Sequence, residues 1–188
     1  MIVHANIMVK DEHILLSELL PIWKEYPIDK FVFYDDNSKD TTVSVIKYHL
    51  GNRAIILNDN LANFNESHNR SSILEYSRKE GATHVISIDC DELLSDNLVK
   101  NFNKVMAVYD RNDMQLYQYN VVNGTLQETR NDPMYAHNFR SFILPLKNTG
   151  RFNLDLWKYH TPRTPNVNLP PLQTRAVGMI HLQATNKR

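Results

Sequence analysis

Two aspartates separated by one residue, Asp89 and Asp91, directly follow a strand-like segment of the sequence, HVISI at 84–88. Residues i and i+2 of an extended chain point to the same side, so these carboxylates can converge while Cys90 turns away toward the core. Two carboxylates so close repel each other unless a positive charge lies between them. A hard divalent cation that takes its other ligands from substrate phosphates meets that need. The spacing therefore predicts a cation site.

A turn is the alternative interpretation of the run from Asp89 to Glu92, with its acids capping the helix that follows. An EF-hand loop is excluded, because the sixth position counted from Asp89 is Leu94 rather than Gly and the twelfth is Lys100 rather than Glu.

A second acidic pair, Asp35 and Asp36, follows another strand-like segment, KFVFY at 30–34. In open parallel sheets, ligands bind in the crevice beyond the carboxyl ends of the strands. If the strands that precede both acidic pairs are parallel, all four carboxylates face one crevice. A turn in which Asp36 makes a local Asx bond is the alternative.

Strand-like segments alternate with amphipathic helical segments through the first half of the chain. This alternation predicts βαβ units, and therefore an α/β fold with a mostly parallel central sheet flanked by helices. Segments 115–122 and 139–144 in the second half are predicted to be strands that pair as antiparallel additions. No linker or repeat divides the sequence, so residues 1–188 are predicted to form one domain.

The composition excludes several classes of protein. The 188 residues carry 21 Lys+Arg against 21 Asp+Glu, a balance that argues against a nucleic-acid or membrane-surface binder. One Cys excludes a disulfide framework and fits a cytoplasmic location. No Gly-rich phosphate loop occurs, and no apolar stretch approaches the roughly 20 residues of a membrane span.

Four pieces of the sequence, in order, resemble the core of the family 2-like glycosyltransferases with the GT-A fold. They are the Lys10-Asp11-Glu12 turn, the segment FVFYDDNSKDTT at 31–42, the NR pair at 69–70, and the DxD motif at the end of HVISIDCDE at 84–92. The resemblance covers residues 1 to about 108. It implies a GT-A domain over residues 1–188, with a nucleotide-sugar-binding half at 1–110. The acceptor half at 111–188 would be either minimal or truncated.

The resemblance implies that the chain transfers a sugar from a nucleotide diphosphate sugar, a UDP-sugar being the first expectation, to a glycan or other hydroxyl acceptor. Asp89 and Asp91 match the metal motif and would hold Mn²⁺ or Mg²⁺ against the diphosphate, which neutralises the leaving group. The implied nucleotide-binding residues are Lys10, Glu12, Asp35, Asp36, Arg70 and Asp89. For Arg70, a solvated charge on the helix surface is the alternative.

Two further roles are implied by the resemblance. An inverting enzyme, the expected type, needs a general base near the acceptor hydroxyl, and Asp155, two residues before Trp157, is the candidate. A surface turn is the alternative for Asp155. The metal shell of this family often includes a C-terminal His, for which His181 ranks above His160. A structural core residue is the alternative for each His.

Two other functions remain open at this stage. A non-catalytic or truncated nucleotide-sugar-binding domain would keep the same cavity without turnover. A nucleotidyltransferase shares the sheet and the carboxylate–metal chemistry, but its Gly-rich N-terminal phosphate loop is missing here.

Overall fold

The computed structural model describes residues 1–59, 64–108, 114–122, 125–127, 139–148 and 172–183. Nine strands of this part of the chain form one sheet: β1 (Val3–Val9), β2 (Lys30–Asp35), β3 (Ala54–Leu57), β4 (His84–Ser87), β5 (Glu92–Leu94), β6 (Met114–Val122), β7 (Thr125–Gln127), β8 (Phe139–Pro145) and β9 (Leu172–Gln183). Five α-helices accompany them: α1 (His13–Trp23), α2 (Thr42–Leu50), α3 (Glu66–Lys79), α4 (Asp96–Lys100) and α5 (Phe102–Val108).

The four strands of the first half are parallel, in the order β3-β2-β1-β4. Their side chains are largely apolar and β1, β2 and β4 are buried nearly throughout, as expected for strands covered by helices on both faces. Since parallel strands end at the same edge, the segments that follow β1, β2 and β4 meet there. The predicted parallel arrangement is confirmed.

The second half extends the sheet beyond β4. β8 pairs with β4 and with β6 in antiparallel fashion, and β9 runs parallel to β6. The predicted antiparallel additions at 115–122 and 139–144 are therefore confirmed as β6 and β8. The division into functional halves at 110 and 111 stays a prediction.

The short strand β5 is an element that the sequence analysis did not predict. It consists of three residues directly after the Asp89–Asp91 run, and it pairs antiparallel with β9 at the far end of the sheet order. A strand this short carries no periodic signal, and its partner lies almost 90 residues further along the chain. This pairing fixes the direction in which the chain continues after Asp91.

The main core packs α1 and α2 against the sheet. Trp23, at the end of α1, is fully buried and stacks on Phe31 of β2, with ring centroids 6.3 Å apart and planes 3° from parallel. Its indole Nε1 donates a hydrogen bond of 3.1 Å to the carbonyl oxygen of Glu92. One aromatic residue thus links the core to the start of β5.

None of the helices in the described part of the chain has both the length and the apolar character needed to cross a membrane.

We expect Trp23→Ala to lower the free energy of unfolding by about 3–5 kcal/mol, because it leaves a large cavity and removes the indole donor. Urea unfolding followed by circular dichroism measures the change. Tyr48→Ala is the control, since Tyr48 is 83% exposed and its loss should change stability by less than about 0.5 kcal/mol. A loss below about 1 kcal/mol for Trp23→Ala would contradict the packing described here.

Candidate functional site

A cavity of about 710 Å³ lies at the carboxyl ends of β1, β2 and β4, next to the start of α3. Six of the residues predicted from the sequence line it: Lys10, Glu12, Asp36, Arg70, Asp89 and Asp91. Four separate chain segments supply them, the three that follow β1, β2 and β4 and the helix α3, which is the convergence expected at the edge of a parallel sheet. Asp35 and His181 are adjacent to this group and are not among the lining residues.

The run from Asp89 to Glu92 forms a tight turn. The Glu92 N–H donates to the Asp89 carbonyl oxygen at 3.1 Å, and the Asp89 N–H donates to Glu92 Oε2 at 2.9 Å. The turn predicted as the alternative interpretation therefore exists, but its acids do not cap the next helix. The cap of α4 is Ser95, whose hydroxyl oxygen accepts a hydrogen bond from the Leu98 N–H at 3.3 Å.

Asp91 contacts His181, one of the two His candidates. His181 Nε2 lies 3.0 Å from Asp91 Oδ2. The backbone enforces this contact, because β5 pairs Glu92 with His181 and the Leu182 N–H donates to the Asp91 carbonyl oxygen at 2.8 Å. A carboxylate oxygen and an imidazole nitrogen that lie close together are suitable ligands for Mn²⁺.

Asp89 points toward a different partner. Its Oδ1 lies 3.8 Å from Arg70 Nη2. Among the residues described, no group of three or more His, Cys, Asp or Glu side chains is placed to hold a metal ion by itself. The donor set of Asp91 and His181 thus fits a cation that takes its remaining ligands from elsewhere.

Arg70 is buried, with 7% of its surface exposed, so the alternative of a solvated surface charge is wrong. Its Nε donates to Glu66 Oε1 at 2.9 Å, one helical turn earlier, and its Nη1 donates to Ser87 Oγ at 3.4 Å. The guanidinium therefore lies between the carboxylates of Glu66 and Asp89. A buried cation needs such pairing, because an unpaired charge in the interior is strongly destabilising.

Lys10 and Asp36 form an ion pair at the other end of the cavity. Lys10 Nζ lies 2.9 Å from Asp36 Oδ2, and this hydrogen bond raises the pKa of the Lys10 ammonium group above its usual value. The Lys10 side chain is 57% exposed, whereas that of Asp36 is 12% exposed. Lys10 can therefore turn toward a ligand, while Asp36 stays fixed in the wall.

Side chain to backbone hydrogen bonds join the two turns that carry Lys10 and Asp36. The Asp11 N–H donates to Ser38 Oγ at 3.0 Å, the Lys39 N–H donates to Asp11 Oδ1 at 2.6 Å, and the Glu12 N–H donates to Thr42 Oγ1 at 2.8 Å. Asp11 has a φ of 54°, a conformation that L-residues adopt only when neighbours hold it. These hydrogen bonds thus hold the two turns in a fixed arrangement.

Asp35 stabilises the turn that follows β2. It is 5% exposed, its Oδ1 accepts a hydrogen bond from the Ser38 N–H at 3.2 Å, and its Oδ2 accepts one from Asn58 Nδ2 at 3.3 Å. The local turn bond that the sequence analysis offered for Asp36 is therefore made by Asp35. Of the two acids, Asp36 is the one that lines the cavity.

Among the wall residues to which the sequence assigned no role, three lie together, Phe64, Glu66 and Asn69. They belong to the entry of α3, whose first residue is Glu66 and whose N-cap is Asn65. The i,i+4 spacing of Glu66 and Arg70 was a usable signal for an ion pair on one helix face. Asp155 and His160, the candidates for general base and alternative metal ligand, lie outside the described residues.

Cys90 is buried between the two aspartates and packs in the main core, as the alternation predicted. Its Sγ donates to the Met8 carbonyl oxygen at 3.2 Å, although the residue also borders the cavity. Burial raises the pKa of the thiol well above its ordinary value, and the surrounding carboxylates, including Glu12, add to this effect. The thiolate is therefore disfavoured in the folded protein.

We expect the thiol of Cys90 to react with a disulfide reagent at pH 8 at least about tenfold more slowly in the folded protein than in denaturant, because each unit of pKa increase lowers the thiolate fraction about tenfold. Cys90 is the only cysteine of the chain, so the absorbance of the released thiolate reports on it alone. Equal rates in the two states would show that the residue is exposed and its pKa ordinary.

Comparison with known proteins gives a match in fold and none in sequence. No protein-family model matches the chain, and no curated protein matches it. S. aureus TarS 1-349 in complex with UDP-GlcNAc superposes with a TM-score of 0.73 at 12% identity, over 100% of this chain and 60% of that chain.

Two further structures are similar to this chain in fold, again at low sequence identity. S. aureus TarS 1-349 in complex with UDP has a TM-score of 0.66 at 11% identity, over 99% of this chain and 59% of that chain. The mannosyltransferase PcManGT from Pyrobaculum calidifontis, in complex with GDP-Man and Mn²⁺, has a TM-score of 0.63 at 16% identity, with 99% and 57% covered.

The chain thus spans between 57% and 60% of the length of these three chains. At such identities the likeness concerns the fold. The mostly parallel sheet with helices around it and antiparallel strands at one side is the GT-A fold of these structures, as the sequence resemblance predicted.

Proposed function

We propose that this chain is a glycosyltransferase domain. It binds a nucleotide diphosphate sugar, with a UDP-sugar as the first choice, together with Mn²⁺ or Mg²⁺. It then transfers the sugar to the hydroxyl of a glycan or another acceptor. The proposal combines the GT-A fold with the charge of the cavity, and it is supported by neighbours of the same fold seen with UDP-GlcNAc and with GDP-Man and Mn²⁺.

The charge balance of the cavity is the observation that carries the proposal. Among the described residues that line it, five have carboxyl groups, Glu12, Asp36, Glu66, Asp89 and Asp91, and two have cationic side chains, Lys10 and Arg70. Such an excess of negative charge repels a diphosphate. A nucleotide diphosphate can bind there only when a divalent cation accompanies it, and this requirement is the basis of the proposed metal dependence.

The sequence predicts that Asp89 and Asp91 both hold the cation. In this proposal Asp91 and His181 would hold it, because Asp89 lies beside Arg70, and its remaining ligands would come from the substrate. When bound, the cation neutralises the diphosphate as it leaves the sugar. The 3.0 Å contact between Asp91 and His181 places these two proposed metal ligands side by side. The imidazole of His181 must be neutral to bind a metal.

Arg70 and Asp89 serve the phosphate side of the site. The Arg70 guanidinium is held on two sides by carboxylates, so it keeps one orientation toward the cavity. From there it can donate to a phosphate oxygen, since a guanidinium pairs with phosphate through two parallel N–H groups. The ion pair with Arg70 also keeps Asp89 from turning toward Asp91, which reduces their mutual repulsion.

In this proposal Asp36 and Lys10 contact the nucleoside part of the sugar donor. Asp36 is fixed in the cavity wall, where its carboxylate can accept a hydrogen bond from the ribose or the base. Lys10 neutralises Asp36 before a ligand binds, and its exposed side chain can move to the phosphates when the donor enters. Asp35 supports this end of the site by holding the turn through Ser38 and Asn58.

For the acceptor side of the site, the proposal keeps the predictions made from the sequence. Asp155 is the proposed general base of an inverting transfer, and His160 is the alternative to His181. A domain that binds the donor without turnover is the competing function, and a nucleotidyltransferase is the more remote one. A cytoplasmic location likewise stays a prediction.

We expect Asp91→Asn to weaken the Mn²⁺-dependent binding of UDP by at least about 100-fold, because loss of an outer-shell partner alone commonly costs about 10–100-fold in metal affinity. Isothermal titration calorimetry with and without a chelator measures this. Asp96→Asn, the same chemical change on α4 outside the cavity, should bind as the original protein does. Equal affinity for UDP in excess chelator would refute the metal assignment.

Turnover is tested by incubating the protein and Mn²⁺ with UDP-, GDP- and TDP-sugars and measuring the release of nucleoside diphosphate. A glycosyltransferase should release it from one class of donor, by slow hydrolysis or by transfer to an added acceptor. Binding without release from any donor would favour the binding domain. Release of pyrophosphate from a nucleoside triphosphate mixed with a sugar phosphate would favour the nucleotidyltransferase.

A further inference from the structure

Glu92 has a fully buried side chain, with 0% of its surface exposed, directly after the acidic run. It is not one of the residues that line the cavity. Its Oε2 accepts a hydrogen bond from the Asp89 N–H at 2.9 Å, while its own N–H donates to the Asp89 carbonyl oxygen at 3.1 Å. The two bonds run in opposite directions and close the turn into a ring that contains Asp91.

The backbone of the same residue is held from two sides. Its carbonyl oxygen accepts the indole N–H of Trp23 at 3.1 Å, which ties it to the end of α1. In the β5–β9 ladder Glu92 is paired with His181, and next to it the Leu182 N–H donates to the Asp91 carbonyl oxygen. Glu92 therefore joins the acidic turn to both the core and the strand that carries His181.

This arrangement sets the directions of both aspartates. Closing the ring orients Asp89, whose carboxylate lies 3.8 Å from Arg70, and the ladder places Asp91 3.0 Å from His181. We propose that Glu92 is a positioning residue that holds Asp89 and Asp91 in separate directions, so that only Asp91 joins His181 at the cation. This role rests on the proposed function of the site.

The reach of the side chain, more than its charge, is what the role requires. The acceptor must span from the Cα of Glu92 to the N–H three residues earlier, a distance that suits a Glu or a Gln, whereas an Asp is one methylene shorter. An amide oxygen accepts the same hydrogen bond, although less strongly than a carboxylate. Two conservative substitutions, one that shortens the side chain and one that removes its charge, therefore separate reach from charge.

The experiment compares Glu92→Asp, which keeps the charge and shortens the side chain by one methylene, with Glu92→Gln, which keeps the reach and removes the charge. Ile46→Val is the matched control, since it removes one methylene from a fully buried side chain on α2. Calorimetry measures the affinity for UDP in Mn²⁺, and hydrogen exchange measures the protection of the Asp89 amide.

We expect Glu92→Asp to weaken Mn²⁺-dependent UDP binding by about 10–100-fold, as is common for outer-shell partners, and to speed the exchange of the Asp89 amide. Glu92→Gln should retain most of the affinity and the protection, and Ile46→Val should change neither. Unchanged affinity in Glu92→Asp, or an equal loss in Glu92→Gln, would overturn the positioning role.

The exchange measurement also separates this inference from the proposed function. If the original protein binds no nucleotide with Mn²⁺, the proposed function fails. In that case faster exchange in Glu92→Asp alone would still show that Glu92 holds the turn. If the Asp89 amide exchanges at the same rate in both Glu92 variants and the original protein, the inference fails whatever the protein binds.

Discussion

Electrostatic repulsion among the carboxyl groups of the cavity is the constraint on which the arrangement of the site depends. Among the described residues, four such groups converge because parallel strands end at one edge, and Glu66 joins them from α3. Four of the five carboxyl groups lie beside a basic side chain. Asp36 has Lys10, Glu66 and Asp89 share Arg70, and Asp91 has His181. Asp91, which lines the cavity, is thus left beside His181, which does not.

The rigidity of the surrounding turns follows from the same constraint. Charged groups in fixed positions need a backbone that cannot relax, and the chain provides one without Gly-rich loops. The Asp11 turn is joined to the Ser38 turn by hydrogen bonds between side chains and backbone N–H groups. Glu92 does the same for the Asp89 turn. Polar side chains that bond to backbone N–H groups thus hold these turns in place.

Much of the fold could be predicted from the sequence, because its signals are local. β2 contains a continuous apolar run at 31–34, and Ser95 precedes the helix that it caps. β5 could not be predicted in this way, since three residues carry no period and the partner strand is remote in sequence. The burial of the Arg70 side chain could likewise not be predicted, because it depends on contacts with Ser87 and Asp89 from another part of the chain.

The sequence by itself determined the parallel half of the sheet and the positions of the acidic residues at its edge, since hydrophobic periodicity and strand ends are properties of neighbouring residues. Only the tertiary structure decided which acid pairs with which partner. It assigned Asp35 to the turn and Asp36 to the cavity, set Asp89 toward Arg70, and brought Asp91 to His181. Those choices depend on distances of a few ångströms between segments far apart in sequence, and no spacing along the chain encodes them.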